Sequence, residues 1–224
     1  MSRYDEYMIA LQRRLKALAA APPYVWVNTD PERVEEYARV ETDFGGYSED
    51  DIAAIEKECA LPLPSAFRAY LRAFCVRPGR LLKGSDLARR GMFASFRANA
   101  EIISDRTLPD EAIVFLIHQG YSFDYFLATR EEDPAVRRFD PTKGDRVFAR
   151  SFTAYLEKDV AFSEQLRDEQ HRNGGSFAQI LSDLTLATVS RGNARPTLRH
   201  GAGAHISHPD GVFGACDDEA PWEW

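Results

Sequence analysis

Between Glu111 and Leu156 the chain runs through three strand-like stretches in close succession and then an amphipathic helical pattern, with no cluster of catalytic residue types among them. The first run, Ala112 to His118, is almost wholly apolar, as a central strand is. The second, Tyr121 to Thr129, sets Tyr121, Phe123, Tyr125 and Leu127 on one side, the pattern of a half-buried neighbour. Gln119-Gly120 between them suits a tight antiparallel hairpin, with glycine supplying the positive backbone angle. The third run, Ala135 to Asp140, follows a break at Glu131-Glu132-Asp133-Pro134. A helix then opens at Ser151, turns Phe152, Tyr155, Leu156 and Val160 inward, and extends toward Asn173. Such a stretch reads as the scaffold of a binding domain.

Size and charge narrow the classes. With 224 residues, 44% of them hydrophobic, the chain can bury a sizeable core in one domain with appendages. Its formal charge of -7 argues against sequence-independent binding to nucleic acid or to an anionic membrane, both of which need clustered Lys and Arg. A basic protein is the more natural partner. The three cysteines, Cys59, Cys75 and Cys216, show neither a disulfide framework nor a paired zinc spacing. Gln12, Arg13, Arg14 and Lys16 break the first apolar run, which excludes a secretory core or a membrane span there and makes the cytoplasm the expected location.

Ahead of the strands the pattern is helical. Tyr4, Tyr7, Met8, Leu11, Leu15 and Leu18 recur at helical spacing before Pro22-Pro23. Thr29 or Asp30 can cap a second helix with Pro31 at its first position and Val34, Tyr37 and Ala38 on its apolar side. Gly45-Gly46 closes this section. Ser48 and Asp51 form a capping box for a helix whose Ile52, Ile55 and Cys59 share a face. Leu61-Pro62-Leu63-Pro64 interrupts it, and Pro64 starts the next helix with Phe67, Tyr70, Leu71 and Phe74 as its stripe. Arg80 to Leu82 reads as a short strand, Phe93 to Ile103 as a helix with Phe96, Ala100 and Ile103 on one side, and Phe177 to Val189 as a last helix. After Ser190 the pattern dissolves into Gly, Pro, Arg and His, the composition of a tail that is disordered or held extended by a partner.

The order and spacing of Ser48-Glu-Asp-Asp-Ile-Ala-Ala-Ile-Glu56, Leu63-Pro-Ser-Ala-Phe-Arg-Ala-Tyr-Leu71, the Gly79 to Gly84 strand, the Phe115 to Phe126 hairpin, Asp133-Pro-Ala-Val136 and Ser151-Phe-Thr-Ala-Tyr-Leu156 resemble a SUKH superfamily domain. That is the fold of fungal cell-wall-assembly regulators and of many bacterial immunity proteins. The resemblance covers about residues 44 to 160; where the family often has an Asn-Gly-Gly turn, this chain has Cys75-Val-Arg-Pro-Gly79. It implies an α+β fold, an antiparallel or mixed sheet flanked by helices, in a single domain over residues 44–173, with a helical extension at 1–43 and a helix and extended tail at 174–224. It further implies a non-catalytic immunity protein that blocks the active site of a cognate toxin, often a nuclease. A regulatory scaffold of cell-wall or stress signalling is the alternative.

Signs of enzymatic chemistry are sparse. There is no Gly-x-Ser-x-Gly elbow, phosphate loop, His-Glu-x-x-His or Cys-x-x-Cys, and Gly201-Ala-Gly203 follows no strand. His118 beside Asp124 could be imagined as a base, yet no nucleophile lies near in sequence, and a satisfied histidine at a strand end is the plainer reading. His200, His205, His208, Asp210 and Cys216 are side chains that could ligate zinc, but their spacing fits no closed site and a polar tail explains them better. No cofactor or metal is therefore expected. Partner binding is assigned to the acidic surface and the tail: Asp124, Asp217, Asp218 and Glu219 as charges for a basic cleft, Trp222 and Trp224 as anchors of large buried area.

Overall fold

In chain order the elements are α1 (Arg3–Ala20), β1 (Phe44–Gly45), α2 (Glu49–Cys59), α3 (Ser65–Phe74), β2 (Arg77–Pro78), β3 (Asp86–Leu87), α4 (Phe93–Ser104), β4 (Ala112–His118), β5 (Ser122–Leu127), β6 (Val136–Asp140), β7 (Gly144–Ala149) and α5 (Phe152–Asn173). The structure, a computed structural model, describes residues 1–20, 36, 39–82 and 85–173. Of the helix expected after Pro31, Glu36 and residues 39–41 are described and helical, while its apolar residues Val34, Tyr37 and Ala38, the helix at Phe177–Val189 and the tail lie outside the described residues.

Each helix forms where its caps and stripe dictate. In α1, Tyr4, Met8, Leu11 and Leu15 are buried, and this face packs on α3 and α5. At the start of α2 the Ser48 hydroxyl accepts from Asp51 N–H at 3.2 Å, and the Asp51 carboxylate accepts from Ser48 N–H at 3.2 Å. Ala60 ends this helix in the left-handed region, and Glu56 reaches on to accept Leu63 N–H at 2.9 Å. Pro64 caps α3, which buries Ala66, Phe67, Ala69, Tyr70, Leu71 and Phe74. Phe67 is the hub of the core, with ring centroids 4.9–6.4 Å from those of Tyr70, Phe93, Phe115, Phe126 and Phe152.

The fold is α+β. Its main sheet has five strands in the order β3-β4-β5-β6-β7, every pair antiparallel, and β1 pairs with β2 in a separate ribbon. Antiparallel register alternates side chains between the two faces. Asp124, Phe126, Val136 and Arg138 therefore face α3 and α5, while Phe123, Tyr125, Arg137 and Phe139 face the end of α4 and the loop after it. A bulge between Val114 and Leu116 turns Phe115 toward Phe67 and Phe152.

Three expectations need correction, and one strand was not expected. Arg80–Leu82 is a turn between β2 and β3: Gly79 and Leu82 have φ of 59° and 57°, and Leu81 N–H donates to Pro78 O at 3.1 Å, which no extended strand permits. Strand β5 is buried on both faces, because helices cover one side and the loop after α4 the other. Tyr121 sits in the hairpin turn at 53% exposure, outside the core. Strand β7 was hidden in the sequence by its charges. Asp140 Oδ1 accepts from Thr142 N at 2.8 Å and Lys143 N at 3.1 Å, and Gly144 at φ 70° sends the chain back along β6.

Candidate functional site

The chemistry-bearing side chains converge on the helix-facing side of the sheet, at the end nearest the β4–β5 turn. Cross-strand register lines up Leu116, Asp124, Arg138 and Arg146 in one row from β4 to β7, and pairs His118 with Ser122 in the next. Asp124 has no exposed surface. Arg138 donates to both its oxygens, Nε to Oδ1 and Nη2 to Oδ2, each at 2.6 Å, and Tyr155 of α5 donates its hydroxyl to Oδ2 at 2.7 Å. Burial, followed by the charge of Asp124, pushes the Tyr155 phenol far above its ordinary range. Burial opposes the Arg138 charge, but Asp124 outweighs it and holds the guanidinium above its usual value. The same guanidinium lies 3.8 Å over the Phe148 ring, whose centre is 4.6 Å from Lys158 Nζ.

The acid expected on a partner-binding edge is thus an internal strut. Asp124 cannot reach a partner, because its carboxylate has no exposed surface and three donors, two from Arg138 and one from Tyr155, already hold it inside the core. A buried acid in an apolar run signals that a partner base exists; that the base is Arg138, one strand over, needs the register.

His118 is half-buried, and Ser85 Oγ lies 3.0 Å from its Nδ1 and 3.3 Å from its Nε2. Sequence distance concealed this pair. Near-equal distances place the hydroxyl off both nitrogen lone-pair directions, unlike a serine activated along one of them. Burial, followed by Arg138, lowers the His118 pKa, so the imidazole is neutral at pH 7. No described carboxylate hydrogen-bonds the ring to fix its tautomer. The arrangement is that of a histidine held at a strand end by a neighbouring hydroxyl.

On the opposite face a cleft of about 790 Å³ lies between α4, β3 and the Pro78–Leu82 turn, floored by Leu82, Phe96, Ile103 and Ile117. Met92, the N-cap of α4, and Ile102 within it line the cleft and are 39% and 77% exposed. Asp86 and Arg89 supply charges of both signs to the same lining. Among the described residues no group of three or more His, Cys, Asp or Glu is arranged to hold a metal, and no described helix is long and apolar enough to cross a membrane. Asp217, Asp218, Glu219, Trp222 and Trp224, together with His200, His205, His208, Asp210 and Cys216, lie outside the described residues. The chain matches no protein-family model and no curated protein sequence.

Proposed function

We propose that this chain is a SUKH-like immunity protein, a non-catalytic domain that binds a cognate toxin in the cytoplasm and occludes its active site. The observation that carries this reading is the use made of Asp124. The most deeply buried acid of the described residues is spent, with Arg138 and Tyr155, on pinning α5 to the sheet, so the site best placed for chemistry serves rigidity instead. A domain braced in this way, with exposed apolar side chains on α4 (Ile102, 77%), β7 (Val147, 57%) and the β4–β5 turn (Tyr121, 53%), suits a surface that docks without rearranging. The antiparallel α+β architecture is also the one the family resemblance implies.

The partner in this reading is a basic protein such as a nuclease, drawn by the net charge of -7. Co-expression with the toxin encoded by the adjacent gene tests the reading. Survival of the cells and recovery of a stable complex of the two chains are expected; death of the cells with no complex would overturn it and favour a regulatory scaffold.

A further inference from the structure

Strand β7 ends the five-strand order, so among the described residues one of its edges has no neighbour. The row of side chains that arrives at this edge reads acid, base, base: Asp124 on β5, Arg138 on β6, Arg146 on β7. Asp124 satisfies Arg138 from the inner side. Arg146 therefore faces the positive end of that pair, and no carboxylate of the described residues pairs with it. Like charges directly opposite on neighbouring strands destabilise a sheet.

We propose that the β7 edge receives an extended acidic segment of a partner protein as an added strand, whose carboxylate opposite Arg146 completes the row as acid, base, base, acid. This rests on reading the chain as a protein-binding domain and names a surface for it. The backbone of an edge strand offers alternate N–H and C=O groups to such a segment. Val147, on the other face at 57% exposure, would be covered by the neighbouring apolar side chain of the incoming strand. Arg150 and Lys143, both exposed, flank the row at the two ends of the strand. Lys158 reaches over the edge to donate to Phe148 O at 2.6 Å, which limits the free length to the Gly144–Val147 side.

Arginines on an edge also guard against unwanted pairing, and that fact selects the occupant. A second copy adding through the same edge would bring further arginines against Arg146. Nucleic acid is disfavoured by the overall charge of -7, since phosphate binding needs many more cations than this row supplies. A locally acidic strand is the occupant that both the backbone and the charges accept, even on a partner that is basic elsewhere.

Arg146→Glu separates the alternatives, because it puts opposite charges across β6 and β7 while removing the attraction for an acid. The full chain, 15N-labelled, is titrated with a synthetic octapeptide of alternating Glu and Thr, with its Lys-for-Glu counterpart and with a short DNA duplex. Expected are shifts of the β7 amides with the Glu peptide alone, at least tenfold weaker binding by Arg146→Glu, and a Tm for the free variant that rises by about 1–3 °C. Equal binding of the Lys peptide, preference for DNA, dimerisation through β7, or a Tm that falls would each overturn the proposal. A toxin complex that persists unweakened in Arg146→Glu would remove the edge and leave the immunity function standing; loss of toxin binding by the unaltered chain would remove that function.

Discussion

Replacing Asp124 by Asn keeps the shape of the side chain and removes its charge. The amide can accept one hydrogen bond from Arg138, but its NH2 group now faces the second guanidinium N–H, so one of the two 2.6 Å bonds becomes a donor–donor contact. Breaking a buried ion pair by altering one partner costs about 3–5 kcal/mol. Arg138 retains 21% side-chain exposure, which lets water take up part of its charge and favours the lower end, about 3 kcal/mol. For a domain of this size that corresponds to a fall in Tm of about 6–12 °C. Urea denaturation followed by circular dichroism measures it, with the midpoint falling at an unchanged m-value. The double variant Asp124→Leu with Arg138→Met, which removes both charges, should recover at least half of the loss. A loss under about 1 kcal/mol for Asp124→Asn, or a double variant as damaging as the two singles added, would refute the assignment of this pair as the strut beneath α5.

Other expectations follow from the same contacts. Ser48→Ala removes one half of the capping box and should cost about 1 kcal/mol in denaturant stability. Gly46→Ala should be far more damaging, visible as loss of soluble folded protein, since a Cβ there would lie 2.0 Å from the Arg72 carbonyl oxygen. Burial opposes the charge of Asp5, but its hydrogen bonds from Ser2 and Arg72 prevail and draw the carboxyl down from 3.8 to about 2. A depressed pKa contributes stability that is full above about pH 4 and is lost as the pH falls toward 2, so acid denaturation of Asp5→Asn should lack that part of the slope. Asp159 behaves oppositely: burial raises its carboxyl, so its charged form weighs against folding as the pH rises through that raised pKa. Asp159→Asn keeps an acceptor for Leu82 N–H, and its stability relative to the unaltered chain should therefore improve toward neutral pH in paired pH–denaturation series.

Local rules made much of the scaffold legible. The Ser48-Asp51 box, the proline elbow and the period of Phe67, Tyr70, Leu71 and Phe74 are short-range signals, and α2 and α3 form where they stand. Ala112–His118 was readable to the residue because a wholly apolar run fits a strand covered on both faces. Strand β7 escaped notice for the converse reason: Asp145 and Arg146 serve an edge, where charge is permitted, and erase the apolar signature. The site was less visible than the scaffold. Asp124 looked like surface charge until the register set it against Arg138 and Tyr155, and Ser85 meets His118 only because β3 pairs with β4 across 33 positions of chain.

The central claim, a binder that acts without turnover, is tested most directly by titrating the purified chain against a fixed amount of the proposed toxin and following the toxin's activity. The account predicts a linear fall that ends at a fixed stoichiometric ratio, with both chains recovered intact and His118→Gln giving the same endpoint. Complete inactivation by a small fraction of an equivalent, lost in His118→Gln, would contradict it and make the chain an enzyme.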